Sequence, residues 1–344
     1  MQLLDDAQTR DALPFHDLIE ALRGAFRDGA QVPLRHHHTI ARPAVPPGTA
    51  AEPDATLLLM PAWTGPDAGA AAGPGTAGPG TADAGAAGPI GVKVVSVFPG
   101  NAARGLPAIG GLYLLLDGID GHPLAVMDAA ALTARRTAAA SALAADYLAR
   151  PDARQMLMVG AGALSPNLIA AHAAVRPIAR VSIWNHNPER AAALAARLTA
   201  EGLDAVATED LEGAAGAADL ISCATLSRTP LIHGDWLRPG CHLDLVGAFT
   251  PEMREADDTA LRRAQVFVDT REGATKEAGE IVQALQGGAL TQEQIRADLH
   301  DLARGRHPGR QDAEAITLFK SVGTALEDLA AATLVARRHG LLPD

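Results

Sequence analysis

The stretch QMLMVGAGALSPNLIAAHAAVRPIARVSIWN, residues 155–185, decides the fold. QMLMV is an apolar run of strand length. Gly160-Ala161-Gly162-Ala163-Leu164-Ser165 follows it directly. This G-x-G-x-x-S spacing matches the dinucleotide fingerprint except at its last position, where Gly or Ala is usual. Gly160 permits a tight turn, and Gly162 lets backbone approach a pyrophosphate. The small Ser165 lets the next helix, about 163–175, pack close to the strand. That helix opens with free N–H groups and the positive end of its dipole toward the anion. RVSIWN reads as the following strand. Gly160, Gly162, Ala163 and Leu164 are therefore candidate cofactor contacts.

An acid ending the second strand would accept from the ribose 2′-OH and select NAD. Asn185 stands there instead, with His186 and Arg190 beyond it. Asn185 does not repel a 2′-phosphate, and His186 and Arg190 can contact one. The pattern favours NADP(H) as cofactor, with NAD(H) the second choice.

Working outward, a helix is expected over about 188–200. DAVAT, LISCAT, CHLDLVG and QVFVDT supply further short strands. Strands alternating with helices imply a Rossmann-type, doubly wound parallel sheet. This domain is expected over 131–309. A second, α+β domain is expected from 1–130 together with 310–344, the last helix (about 313–339) returning to it. In that domain the apolar spacing predicts a helix over 11–28. ATLLLM, 55–60, reads as a buried strand closed by Pro61. From 64 to 89 every residue is Gly, Ala, Pro, Thr or Asp, which reads as a flexible inserted loop without chemistry of its own. GVKVVSVFPGN, 91–101, reads as a strand, 110–128 as a hairpin, and 133–150 as an alanine-rich helix. Lys93 lies between apolar neighbours in a strand expected to be buried, and a buried lysine needs a partner or a task.

Composition narrows the function classes. The 344 residues are 48% hydrophobic and carry 29 basic against 40 acidic side chains, a net charge of −11. A broad nucleic-acid surface needs a basic excess, so no nucleic-acid partner is expected. No apolar stretch has the length of a membrane span. MQLLDDAQTRDALPF carries early acids and no basic region ahead of an apolar one, so no secretory signal is expected. Cys223 and Cys241 have no ligand or disulfide spacing, which makes the cytoplasm the default compartment. His36, His37 and His38 are consecutive. Adjacent side chains diverge, so no metal site is expected there.

GVKVVSVFPGN, GLPAIGG, LTARRTAAASALAA, VGAGALS, VGAFTPEMRE, KEAGE and ITLFKSVGTALEDLAAA resemble the ornithine cyclodeaminase and mu-crystallin family. The resemblance covers nearly the whole chain apart from 64–89. It implies homodimers, with the α+β domain serving substrate binding and dimerisation beside a Rossmann domain, and an active site in the cleft between them. Members act on small α-amino or α-imino acids through a nicotinamide. By the resemblance, Arg35, Lys93 and Arg136 hold the substrate carboxylate, Lys93 and Arg136 being the catalytic pair. Thr225, Val246, Ser321, Val322 and Gly323 fall at the cofactor edge, although a helix N-terminus would also account for Ser321.

Two departures bear on substrate. Cyclodeaminases carry an acid after the glycines of the turn that here reads Val246-Gly247-Ala248-Phe249. A phenyl ring neither pairs with a distal ammonium nor acts as a base. Phe249 suits the aliphatic part of a substrate. Ala108 replaces a threonine near the nicotinamide. The expected activity is NAD(P)H-dependent reduction of a cyclic α-imino acid, Δ1-pyrroline-2-carboxylate or Δ1-piperideine-2-carboxylate, to L-proline or L-pipecolate. A lyase (ornithine cyclodeaminase or hydroxyproline dehydratase), an alanine dehydrogenase-like enzyme and a non-catalytic ligand binder stay open as alternatives at this point.

Overall fold

The computed structural model describes residues 1–42, 54–65 and 87–343. They form two compact units. The first comprises Met1–Pro14, Asp28–Arg136 and the chain from Ala325 onward. It contains β1 (Gln2–Leu4), α1 (Asp6–Asp11), β2 (His36–Ile40), β3 (Ala55–Trp63), β4 (Ile90–Val97), β5 (Ile109–Leu116), β6 (Pro123–Asp128) and the last helix, α11 (Ala325–Arg338). The strands form one sheet in the order β1-β6-β5-β4-β3-β2, antiparallel except for β1 with β6.

Register pairs Met60 with Lys93, Lys93 with Tyr113, and Tyr113 with Met127. Directly opposed residues share a face, so these four form one row across the sheet. All four are buried. α11 lies against β3 and β4 and covers this side. The other face carries Leu59, Val92, Val94, Leu112, Leu114 and Val126, none of them fully buried.

The second unit comprises Phe15–Arg27 and Thr137–Thr324. It holds α2 (Phe15–Asp28) and most of α3 (Ala129–Leu148), followed by β7 (Gln155–Val159), α4 (Ser165–Val175), β8 (Arg180–Trp184), α5 (Pro188–Ala200) and β9 (Ala205–Ala207). Next come α6 (Leu211–Ala217), β10 (Leu220–Cys223), β11 (His242–Leu245), α7 (Asp258–Arg263), β12 (Gln265–Val268), α8 (Arg271–Glu277), α9 (Gly279–Gly287), β13 (Ile295–Asp298), α10 (Leu299–Ala303) and β14 (Thr317–Lys320). Its sheet runs β13-β12-β14-β11-β10-β7-β8-β9, and every pairing is parallel. Strand order reverses between β7 and β10, which places the glycine loop after β7 at the topological switch point. The chain is an α/β protein, with a Rossmann-type sheet in one unit and an α+β arrangement in the other.

Several expectations need correction. The last helix begins at Ala325, because residues 317–320 form β14 between β11 and β12. The return to the first unit therefore starts at Ala325 and not at 310, and Ser321 follows a strand instead of opening a helix. Residues 15–27 belong with the second unit. The helix expected over 11–28 is α2, which begins only at Phe15; Pro14 precedes it, and the separate short helix α1 ends at Asp11.

Pro61 does not close β3, which runs on to Trp63. The Trp63 N–H donates to Gln31 O. By the period of two, the missing N–H of Pro61 faces the same edge, where residues 32–35 lie outside the ladder, so no ladder bond is lost. Of the loop expected over 64–89, residues 66–86 lie outside the described residues. Its flanks meet where Gly88 N donates to Thr64 O.

Candidate active site

The glycine loop has the backbone its sequence requires. Gly160 has φ +110°, and a Cβ there would stand 2.8 Å from Ala224 O. Both facts exclude larger residues. Ser165 is fully buried and does more than pack. Its Oγ donates to Gly160 O at 2.9 Å and accepts from Gly162 N at 3.1 Å, stapling the turn to α4. A Cβ on Gly162 would meet nothing within 4 Å, so open space adjoins the backbone here. Leu164, the N-cap of α4, offers no side-chain cap to the first N–H groups of the helix. An exposed, uncapped helix start beside a bare glycine fits a dinucleotide pyrophosphate. Gly160, Gly162, Ala163 and Leu164 would hold it.

Asn185 also serves the loop. Its Oδ1 accepts from Ala161 N at 3.2 Å and its Nδ2 donates to Asn187 O at 3.0 Å. His186 and Arg190 are exposed at the start of α5, and Asn187 caps that helix through Glu189 N and Arg190 N.

The loops after β10 and β11 are bolted together by a residue that sequence reasoning missed. Glu255 is fully buried. Its carboxylate accepts from Thr225 N (2.6 Å), Thr225 Oγ1 (2.8 Å) and Gly247 N (2.7 Å). A Cβ on Gly247 would stand 2.0 Å from Thr225 O, so only glycine permits this approach. Burial, with Glu280 adding repulsion against the pull of Lys320, pushes the Glu255 carboxyl up to about 7. Glu280 accepts from Glu255 N at 2.7 Å and pairs with Lys320 at 3.3 Å. Asp269 accepts from Val322 N and Gly323 N at 2.8 and 2.7 Å, and Gly323 has φ +81°. Val246, just beyond β11, is buried, whereas Phe249 on the same loop is 45% exposed.

The first unit assembles a second constellation. Period-two alternation puts Lys93 on the covered face of β4. α11 opens with Glu327 and Asp328, which its N-terminal dipole favours. Lys93 Nζ lies 2.7 Å from Asp328 Oδ2. Arg136 Nε donates to Asp328 Oδ1 at 2.9 Å, and Arg136 Nη1 to Glu327 Oε2 at 2.6 Å. None of the four is more than 6% exposed. Burial dominates at Lys93, with Arg136 adding repulsion against the attraction of Asp328, and brings its ammonium down to about 8. Burial would raise the Asp328 carboxyl, but Lys93 and Arg136 outweigh it and hold it below the usual range.

The structure thus brings Lys93 and Arg136 together through Asp328. Arg35 is half-buried and stands one residue before β2. Glu327 and Asp328 were visible in the sequence as acids in an apolar helix, a signal that mirrors the one read at Lys93. His36, His37 and His38 are exposed on β2.

The model of the ornithine cyclodeaminase/mu-crystallin family matches residues 79–340. The chain belongs to this family. The Δ1-pyrroline-2-carboxylate reductase of Paracoccus denitrificans is 46% identical over 248 residues, 72% of this chain and 78% of the relative. The ketimine reductase mu-crystallin of Mus musculus is 35% identical over 243 residues, 71% of this chain and 74% of the relative. A solved structure of the Δ1-pyrroline-2-carboxylate reductase of Thermococcus litoralis, in complex with NADH and L-proline, superposes with a TM-score of 0.84. It is 30% identical, and the match covers 99% of this chain and 98% of that one. Within the family, the buried Lys93–Arg136 pair occupies the motifs that carry the resemblance.

Proposed function

We propose that the protein reduces a cyclic α-imino acid, Δ1-pyrroline-2-carboxylate or Δ1-piperideine-2-carboxylate, to the corresponding L-amino acid. It is a nicotinamide-dependent oxidoreductase by family, fold and glycine loop. The observation that carries the substrate reading is the buried pairing of Lys93 and Arg136 on one acid, Asp328.

Arg136 is a permanent cation whose planar fork orients a carboxylate. Lys93 is the proton-bearing group. With an ammonium brought down to about 8, it holds its proton at neutral pH and gives it up more readily than an ordinary lysine. Asp328 keeps both cations aligned. Fixing the carboxylate fixes the neighbouring C=N carbon, and this restriction of motion is the main contribution of the chain. Bound NAD(P)H would supply the hydride. Phe249 presents an apolar ring where the cyclodeaminases have an acid, which favours the reductase over that lyase.

We assign NADP(H) as the preferred cofactor, with NAD(H) second, because uncharged Asn185 ends β8 and exposed His186 and Arg190 follow it. The test is NADPH and NADH oxidation with both cyclic imines, alongside ammonia release from ornithine. Imine reduction without ammonia release supports the reading. Robust release of ammonia and proline from ornithine would overturn it, and a strong NADH preference would overturn the cofactor assignment.

The assembly we propose is a homodimer, formed through the outer face of the first unit's sheet, where Leu112 is 44% exposed between half-buried Val94 and Leu114. A second copy would remove this apolar surface from water. Gel filtration with light scattering should give twice the chain mass, and Val94→Asp should shift the population to monomer. A Val94→Asp protein that stays dimeric would place the interface elsewhere. Among the described residues no helix is long and apolar enough to cross a membrane. Both cysteines are free and buried, which suits the cytoplasm.

A further inference from the structure

Glu255 is a fully buried acid on the segment between β11 and α7. Glu280 at the start of α9 and Lys320 at the end of β14 are buried beside it. Lys320, whose attraction Glu255 feels, is already paired with Glu280 at 3.3 Å. The Glu255 carboxylate therefore relies on hydrogen-bond donors, and a buried carboxylate holds such donors strongly. Its donors are Thr225 N and Thr225 Oγ1, just after β10, and Gly247 N, just after β11.

Both loops belong to one half of the nucleotide site. In a doubly wound sheet, the strands on either side of the switch point build two mononucleotide-binding halves. β7, β8 and β9 carry the glycine loop and Asn185, which is the adenosine half. β10, β11 and β14 build the other half, which receives the nicotinamide nucleotide. Glu255 thus ties two loops of that half to each other. The tie also reaches the switch point. A Cβ on Gly160 would meet Ala224 O at 2.8 Å and Thr225 Cγ2 at 3.4 Å, so the loop after β10 packs on the glycine loop. With its hydroxyl donating to Glu255, Thr225 turns its methyl toward that loop.

We propose that Glu255 is a positioning residue for the nicotinamide half of the cofactor: its carboxylate sets the spacing and orientation of the loops after β10 and β11, against which the nicotinamide nucleotide lies. The proposal rests on the glycine loop holding a dinucleotide and is independent of which imine is reduced. A neutral side chain of the same shape does not serve. A Gln amide has one acceptor oxygen, and its NH2 would face one of the two backbone N–H groups as a second donor.

The test compares the parent with Glu255→Gln in calorimetric titrations with NADPH, NADH and ADP. They are run at about pH 8, where Glu255 is ionised, because burial pushes it up only to about 7. ADP fills the adenosine half alone. Removing a negative charge acts on the phosphates of every ligand, so the ratio of the ADP to the dinucleotide dissociation constant isolates the loops. In Glu255→Gln this ratio should fall about tenfold, the dinucleotides losing affinity that ADP keeps. Where that variant does not fold, Thr225→Val, which deletes only the hydroxyl bond, should lower the ratio about threefold. An unchanged ratio, whether both affinities are kept or both are lost, overturns the proposal. If neither dinucleotide binds the parent, the nucleotide reading of the glycine loop falls, and the proposal falls with it. If the parent binds a dinucleotide but reduces no cyclic imine, the proposed reaction falls alone, and the ratios still decide this proposal.

Discussion

Arg136→Leu is expected to destabilise the protein by about 3–5 kcal/mol, the typical cost of removing one partner from a buried ion pair. Glu327 would lose the bond from Nη1 and Asp328 the bond from Nε, at two positions that solvent does not reach. Leucine fills much of the volume, so the loss is electrostatic more than steric. Denaturant unfolding of parent and variant at neutral pH measures it. The pH dependence gives a second check. In the parent, Asp328 is held below its ordinary value. The stability it contributes is present above the ordinary carboxylate range and lost as pH falls through the depressed value. In the variant both acids are free to take up protons and shed their burial cost. The difference between the proteins should therefore close in acid. A variant as stable as the parent at neutral pH would show that the acids do not depend on Arg136.

Lys93→Met should leave a protein that folds and binds nicotinamide but reduces a cyclic imine on the order of a thousandfold more slowly in kcat/KM, about 4 kcal/mol. Asp328 keeps its bond from Arg136, so the structural loss is smaller than in the first case. What disappears is the compact proton-bearing cation. The parent should lose kcat/KM as pH rises through about 8, because there Lys93 gives up its proton. Lys93→Arg retains charge but not titration, so this alkaline limb should be absent from whatever activity remains. A methionine variant within about tenfold of the parent would remove Lys93 from the mechanism.

The second unit was legible because its signals are local. Gly160, Gly162 and Ser165 lie within six residues of one another, and the turn they make needs no distant partner. β14 was not legible. TLFK is four residues long and lies far along the chain from the strands it joins, and nothing within those four residues separates a buried strand from a helix. Glu255 was missed for a related reason. In VGAFTPEMRE it reads as one more surface acid. It becomes a bolt only because Gly247 lets the Thr225 backbone come close enough to share its carboxylate.

By itself, the sequence determined the parallel sheet, the nucleotide loop, the isolation of Lys93 in a covered strand and the absence of an acid at Phe249. Each follows from residue type and short-range period, which burial and backbone sterics enforce wherever the segment lies. Only the tertiary structure decided that Lys93 and Arg136 meet on Asp328, and that Glu327 joins them, so that two cations face two acids. Charge balance is a property of groups within a few ångströms of one another, and these four come from β4, α3 and α11, with about two hundred residues separating Arg136 from its acids. No reading along the chain sums charges across that distance, whereas the packing of α11 on β4 does so directly.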